Sequence, residues 1–246
     1  ANTMSLYDQI KYKKFVFSFQ DESSRSPAFA KASAGQADIK ALDVKLSKFS
    51  ISFGVSVFGR KYKFSNIKLI GIQNVENLLP GIFLGLYLGI DFSLIRKQIA
   101  KLSPLPRTMD ASRTAAGVIL INDTYNTHIN STRTAIEYMK LYKGKRILVL
   151  EPFSELGKNA YQDHLELGKE IGKVCDYLFL TNDNYYKLLI SGIAQEKSLC
   201  LVQVWPPVKI AKFIEKNVGA SDVVVFEGRE AYNSFSLIAS EPVFGL

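Results

Sequence analysis

Five short apolar runs, at 118–122, 146–150, 177–181, 199–204 and 222–226, alternate with stretches of helical periodicity at 130–142, 160–174, 184–192 and 207–217. Strands that alternate with helices of this length imply βαβ units around a mainly parallel sheet. Right-handed crossovers then gather the turns that follow the strands on one sheet edge. Those turns are 122–128, 151–157, 181–184 and 227–229. The most polar is Asn122-Asp123-Thr124-Tyr125-Asn126-Thr127-His128, which closes the run Gly117–Ile121 and precedes a helical pattern starting near Asn130-Ser131. Ligands of open α/β sheets sit beyond the carboxyl ends of the strands, where helix N-termini favour anions. Asp123, Asn126 and His128 are therefore expected to face a cleft. The same residues also suit an Asx-rich turn that caps the next helix, and both readings stay open at this level.

The chain before residue 110 has a different character. Residues 13–19, 39–46, 48–58 and 61–70 read as strands, with a hairpin turn at Phe58-Gly59-Arg60-Lys61. Ser50, Ser52, Val55 and Val57 alternate in part, as in a half-exposed antiparallel sheet. Residues 22–37 are rich in Ser, Ala and Gly and are expected to form a flexible surface insertion. Apolar helical patterns follow at 74–88, stopped by Gly89, and at 93–102, stopped before Pro104 and Pro106. The stiff segment Ser103-Pro104-Leu105-Pro106-Arg107 marks a domain boundary, with domains expected at 1–108 and 109–246.

Several function classes lose support. No G-x-G-x-x-G follows a strand and no G-x-x-x-x-G-K-[ST] occurs in the 246 residues, so neither a dinucleotide fingerprint nor a triphosphate cradle is present. The formal charge of +8 comes from scattered lysines without an aromatic-basic RNA motif, which reads as a solvated surface rather than a nucleic-acid face. Cys175 and Cys200 lack metal-ligand spacing, and two histidines make no zinc site, so no metal ligands are assigned and free thiols in a reducing compartment are expected. The N-terminus lacks a secretion-signal pattern, and the apolar stretch 78–90, broken by Pro80, is too short to span a bilayer comfortably.

The polar turn, followed by Asn130-Ser131, resembles the D-S-Y-N-A-N-P-x-S signature of the Mur ligases. The likeness is to the branch that adds D-alanyl-D-alanine to UDP-N-acetylmuramoyl-tripeptide. Further matches stand in the family's order: Gly71-Ile72-Gln73-Asn74-Val75-Glu76-Asn77 for G-x-H-N-x-x-N, Pro106-Arg107 for its Gly-Arg, and Leu150–Gly157 for L-G-D-M-L-E-L-G. His164 with Gly168 matches H-x-x-x-G, and Asp222–Arg229 matches D-V-V-L-V-K-G-S-R. This chain departs from the family at Gln73 (His), Ile129 (Pro), Glu151 and Pro152 (Gly and Asp) and Glu227 (Lys).

The resemblance implies the C-terminal half of an ATP-dependent amide ligase of peptidoglycan precursor synthesis. A remnant of the central mixed-sheet ATPase domain would precede a Rossmann-like α/β domain with a mainly parallel sheet. In this family ATP phosphorylates a UDP-linked peptide carboxylate, and an incoming amine attacks the acyl phosphate. The family's UDP-sugar domain, P-loop and main Mg2+ ligands have no counterpart in these 246 residues, so this chain alone is expected to be inactive; the alternatives are a non-catalytic nucleotide-binding or scaffolding remnant, or another amino-acid-adding Mur-type ligase. The implied partners are ATP with Mg2+, a UDP-MurNAc-peptide, D-Ala-D-Ala or a similar amine, and a separate N-terminal half. Nucleic acid and membrane are not expected, and the implied location is the bacterial cytoplasm. By resemblance Asn74 and Asn77 face adenine, Arg107 and Asp123 hold phosphate or ribose oxygens, and Asn126 and His128 border the reacting groups. Tyr125, Glu155 and Arg229 are the expected substrate contacts.

Overall fold

The computed structural model describes residues 17–19, 38–153, 157–239 and 244–245. The expected insertion at 22–37 lies outside the described residues. The chain divides into two compact units, residues 1–103 and 104–246.

The first unit is a four-stranded sheet with two helices. Strand β1 (Phe17–Phe19) runs parallel to β2 (Ile39–Leu46), and β2, β3 (Ile51–Val57) and β4 (Arg60–Ile67) form an antiparallel meander in the order β1-β2-β3-β4. Burial alternates strictly along β3: Ile51, Phe53, Val55 and Val57 point inward, and Ser52, Gly54 and Ser56 point outward. That period of two is what a sheet covered on one face requires. The β3–β4 connection is the two-residue loop Phe58-Gly59, with φ of 51° and 72°. Two positive φ values are the mark of the hairpin turn that matches strand twist. Helices α1 (Gln73–Tyr87) and α2 (Phe92–Ile99) supply Val75, Leu79, Ile82, Phe83 and Ile99 to the core beneath the sheet. Helix α2 is capped by Asp91, whose Oδ1 accepts from the Ser93 amide at 2.8 Å.

The second unit contains a seven-stranded sheet: β5 (Asp110–Arg113), β6 (Ile119–Asp123), β7 (Arg146–Leu150), β8 (Tyr177–Leu180), β9 (Leu201–Val204), β10 (Val223–Glu227) and β11 (Phe244–Gly245). Their spatial order is β11-β5-β6-β10-β7-β8-β9. Strands β6, β10, β7, β8 and β9 are parallel, as the alternating pattern requires, and β5 and β11 add an antiparallel edge. The described helices are α3 (Ile129–Met139), α4 (Ala160–Val174), α5 (Tyr186–Gln195), α6 (Pro207–Asn217) and α7 (Ala231–Ala239). Strand β5 and helix α7 were not legible in the apolar pattern. All five residues of β6 and of β10 are buried, which explains why these strands read as unbroken apolar runs up to their last positions.

One consequence of the order positions the site. Strand β10, late in the chain, sits between β6 and β7. In that register Glu227 stands opposite both Asp123 and Leu150, so three strands end on one line. The turns that leave this line begin with Thr124, Gly228 and Glu151.

At the opposite edge a single side chain ties the sheet. Asp222 is buried, and its carboxylate accepts from the amides of Lys145 (2.7 Å) and Gly219 (2.9 Å) and from Ser221 Oγ (3.2 Å). Asp222→Ala orphans these donors and is expected to cost about 2 kcal/mol. The check is denaturant unfolding followed through Trp205, the sole tryptophan, which lies in this unit. A midpoint equal to that of the unaltered chain would refute it.

Candidate functional site

The turn after β6 is built from inside the second unit. Asp123, the last residue of β6, is buried, and its Oδ1 accepts the Met109 amide at 3.0 Å. Thr124 is fully buried; its hydroxyl donates to Asn122 Oδ1 at 2.6 Å. Arg107 reaches the same threonine from the segment before β5. Its Nε donates to Thr124 Oγ1 at 2.9 Å and one terminal nitrogen to Thr124 O at 2.5 Å. In return the Tyr125 amide donates to Arg107 O at 2.9 Å. The guanidinium also lies 4.3 Å from the centre of the Tyr232 ring, on α7. Both Arg107 and Met109 have positive φ, 65° and 43°, so the loop is bent sharply to make this clasp. Two of the five guanidinium donors are committed to Thr124, and the planar fork is held in place by the ring beneath it.

The end of the turn caps α3. His128 Nδ1 accepts the Asn130 amide at 3.2 Å, the His128 amide donates to Ser131 Oγ at 3.3 Å, and Ser131 Oγ lies 2.8 Å from His128 O. This is a reciprocal capping box in which an imidazole takes the usual hydroxyl's place. His128 is exposed, and its Nε2 has no partner among the described residues. Tyr125 and Asn126 are exposed on the same turn, and Arg229 is exposed after β10.

Below the turn lie two carboxyl groups. Glu227 is fully buried; its Oε1 accepts from Ser131 Oγ at 2.8 Å and Thr132 Oγ1 at 2.9 Å. Its Oε2 is buried with no hydrogen-bond partner among the described residues. Burial first, and then the neighbouring Asp123 carboxylate, push the Glu227 carboxyl well above the usual range. Burial also raises Asp123, offset in part by the Met109 amide and by the facing Glu227.

The expected residues thus fall into groups. The second unit places Asp123, Tyr125, Asn126 and His128 along the end of β6 and the turn after it, with Arg107 clasping that turn from the segment before β5 and Arg229 on the turn that leaves the neighbouring strand. Asn74 and Asn77 belong to α1 of the first unit; Asn74 Nδ2 donates to Ile70 O at 2.8 Å, and Asn77 is exposed. Glu155 lies outside the described residues. His164 is buried on α4, with Nδ1 2.7 Å from Ala160 O and its ring stacked 3.9 Å from that of Tyr185, a packing role. Burial lowers its pKa below the usual histidine value. No group of three metal-ligating side chains exists among the described residues. Glu227, Thr124, Ser131 and Thr132 were missed. The one signal for them was a carboxylate closing an otherwise apolar strand.

Comparison with known proteins decides the fold's affiliation. Residues 109–229 match the family model described as Mur ligase, glutamate ligase domain. The second unit belongs to the Mur ligase family. Over 194 residues, 77% of this chain, the sequence is 29% identical to the UDP-N-acetylmuramoyl-tripeptide--D-alanyl-D-alanine ligase of Borreliella burgdorferi, of which it covers 40%. Over 116 residues it is 34% identical to the UDP-N-acetylmuramate--L-alanine ligase of Endomicrobium trichonymphae, covering 47% of this chain and 26% of that enzyme. Among solved structures, MurF from Acinetobacter baumannii aligns over 96% of this chain and 52% of its own length, with a TM-score of 0.71 and 18% identity. MurF from Thermotoga maritima, solved in complex with ADP, aligns over 84% and 47% with a TM-score of 0.67 and 22% identity. The chain therefore spans about half the length, or less, of these Mur ligases. Among the described residues no helix is long and apolar enough to cross a membrane.

Proposed function

We propose that this chain is the C-terminal half of an ATP-dependent amide ligase of peptidoglycan precursor synthesis, acting in the cytoplasm on a UDP-MurNAc-peptide and an incoming amine. The observation that carries the reading is the clasped turn: Arg107, Asp123 and the α3 cap converge at the carboxyl edge of a Mur ligase domain. Bound ATP with Mg2+ supplies the phosphoryl group that activates a carboxylate. The residues here fit a nucleotide in part. The Asp123 carboxylate has acceptor capacity beyond the Met109 amide for a hydroxyl, and Arg107 keeps donors for an oxygen ligand while its plane stays fixed. Asn74 and Asn77, three apart on α1 of the first unit, belong to the adenine set by resemblance alone. Asn126 and the Nε2 of His128 are the free polar groups next to the turn and would border the amine and the developing charge. Tyr125 and Arg229 would meet the substrate, and the Arg229 guanidinium suits a carboxylate. Glu155 belongs to this set by resemblance alone.

D-Ala-D-Ala is the amine we favour, because the likeness to one D-alanyl-D-alanine ligase extends over 77% of the chain. L-alanine is the second reading, favoured by the higher identity, 34%, to an L-alanine ligase over a shorter stretch. The reaction needs a phosphate-cradling loop that these 246 residues do not contain. The chain by itself is therefore expected to bind ADP and release no phosphate from ATP when given UDP-MurNAc-tripeptide and D-Ala-D-Ala. Calorimetry should show ADP binding weakened at least tenfold in Asp123→Ala. Steady phosphate release, or equal ADP affinity in the variant, would sink the assignment.

A further inference from the structure

Glu227 is a carboxyl group fully buried at the end of an otherwise apolar strand, and the structure gives it a use. Strands β6 and β10 are parallel neighbours, and Asp123 and Glu227 face each other as their last residues. Side chains at opposed positions of a ladder share one face. Both residues are buried. One oxygen of Glu227 is satisfied by two hydroxyls from the first turn of α3, while Oε2, equally buried, meets no donor. The group that faces Glu227 from the neighbouring strand is the Asp123 carboxyl, and two carboxylates offer each other only acceptors unless one of them carries a proton. Two buried carboxylates side by side cannot both ionise cheaply, and the group held in the drier position keeps the proton.

We propose that Glu227 is a positioning residue: as a neutral carboxylic acid it accepts from Ser131 and Thr132 through Oε1, donates from Oε2 to the Asp123 carboxylate, and so holds Asp123 ionised and oriented under the turn. Three pieces of backbone then depend on one proton: the end of β6, the end of β10 and the start of α3. A lysine here would pair with Asp123 by charge, whereas the shared proton leaves the edge one positive charge poorer. The surrounding charged groups do not supply a substitute. Arg107 is committed to Thr124, and Arg133 on α3 pairs with Glu170. His128 uses Nδ1 as an acceptor for the cap, and Arg229 is exposed. The other nearby carboxylates have donors of their own: Glu151 Oε2 accepts the Glu230 amide, and Glu230 Oε2 accepts from Thr181 and Asn182.

The sign of the pH dependence follows. The folded pair retains a proton that the unfolded chain releases above the ordinary Glu range. Stability is therefore greatest at and below that range. It declines as pH rises toward the folded value, by up to tenfold in the folding equilibrium per pH unit for one proton. The role of Asp123 toward a nucleotide rests on the function proposed above; the shared proton does not.

The test uses the full chain and two variants. Infrared spectroscopy with 13C-labelled glutamate should show a protonated carboxyl band at pH 7 that is absent from Glu227→Gln. The decline of stability with pH should flatten in the same variant, because an amide donates to Asp123 and accepts from the hydroxyls without titrating. In ADP calorimetry Glu227→Ala should lose at least tenfold in affinity, with Glu227→Gln recovering most of it. A missing band together with parallel pH profiles for the unaltered chain and Glu227→Gln would overturn the proposal. A present band with no ADP binding by any form would retain the shared proton and discard the nucleotide reading instead.

Discussion

Replacing Gly228 with alanine is expected to destabilise the second unit by about 3 kcal/mol, through backbone strain and overpacking together. Gly228 follows β10 directly and has φ of 96°, a conformation that L side chains rarely adopt. A Cβ there would stand 2.4 Å from Thr127 Oγ1, 2.6 Å from Glu151 Cβ and 2.8 Å from Glu151 Oε2. Neither neighbour is free to yield. Thr127 lies within the turn between Arg107's clasp and the His128 cap, and Glu151 Oε2 holds the amide of Glu230 just before α7. The Gly228 amide itself donates to Asp123 O at 3.3 Å. Relief of the clash must therefore move the proposed site, and ADP affinity is expected to fall at least tenfold, about 1.4 kcal/mol. Denaturant unfolding read through Trp205 checks the first effect, with the midpoint lowered and the slope unchanged. A midpoint shift worth less than about 0.5 kcal/mol, the usual range for neutral surface changes, would mean that the turn tolerates the side chain and is not the rigid element described.

The site's dependence on register explains what could and could not be read from the chain. Runs such as Val223–Glu227 and Arg146–Leu150 announce themselves because their strands are covered on both faces, and the parallel sheet follows from their alternation with helices. Strand β5 is Asp-Ala-Ser-Arg, with no apolar side to bury. It is a strand because β6 pairs with it, Asp110 opposite Asn122, and that is tertiary information. The His128 cap is local, and the sequence shows it as one of two readings for the turn. The Glu227 contacts are not local. Ser131 and Glu227 are 96 residues apart and meet because β10 inserts between β6 and β7. Nothing in composition or period announces that insertion. Likewise Arg107 is visible as a linker arginine, but its grip on Thr124 requires a positive φ at a non-glycine residue, which sequence propensity argues against. Its second support, Tyr232, sits on a helix that the apolar pattern did not reveal.

Gly192→Ala provides a test in which local and tertiary physics predict opposite signs. Gly192 lies inside α5, where alanine is the better helix former by about 1 kcal/mol. Propensity alone therefore predicts a gain. The structure predicts a loss of about 3 kcal/mol, in the range of severe core overpacking. The added Cβ would come within 2.2 Å of Leu165 O, 2.8 Å of Lys169 N and 2.9 Å of Gly168 Cα. All three are backbone atoms of α4, so no rotamer change can make room. Gly168 makes the reciprocal approach, its own Cβ position lying 2.4 Å from Leu189 O. The two helices thus touch backbone to backbone at facing glycines, and separating them would draw buried Leu189 and Ile193 out of their packing. The matched control is Gly81→Ala in α1, where a Cβ meets nothing within 4 Å and propensity should prevail, raising the first unit's stability by about 0.5–1 kcal/mol. Opposite signs for the two substitutions, measured by denaturant unfolding with Trp205 for the second unit and circular dichroism for the first, are the expected result. If Gly192→Ala also stabilises, the α4–α5 contact is not as close as described. The stacking of His164 against Tyr185 at the start of α5 would then need another explanation for its 3.9 Å ring separation.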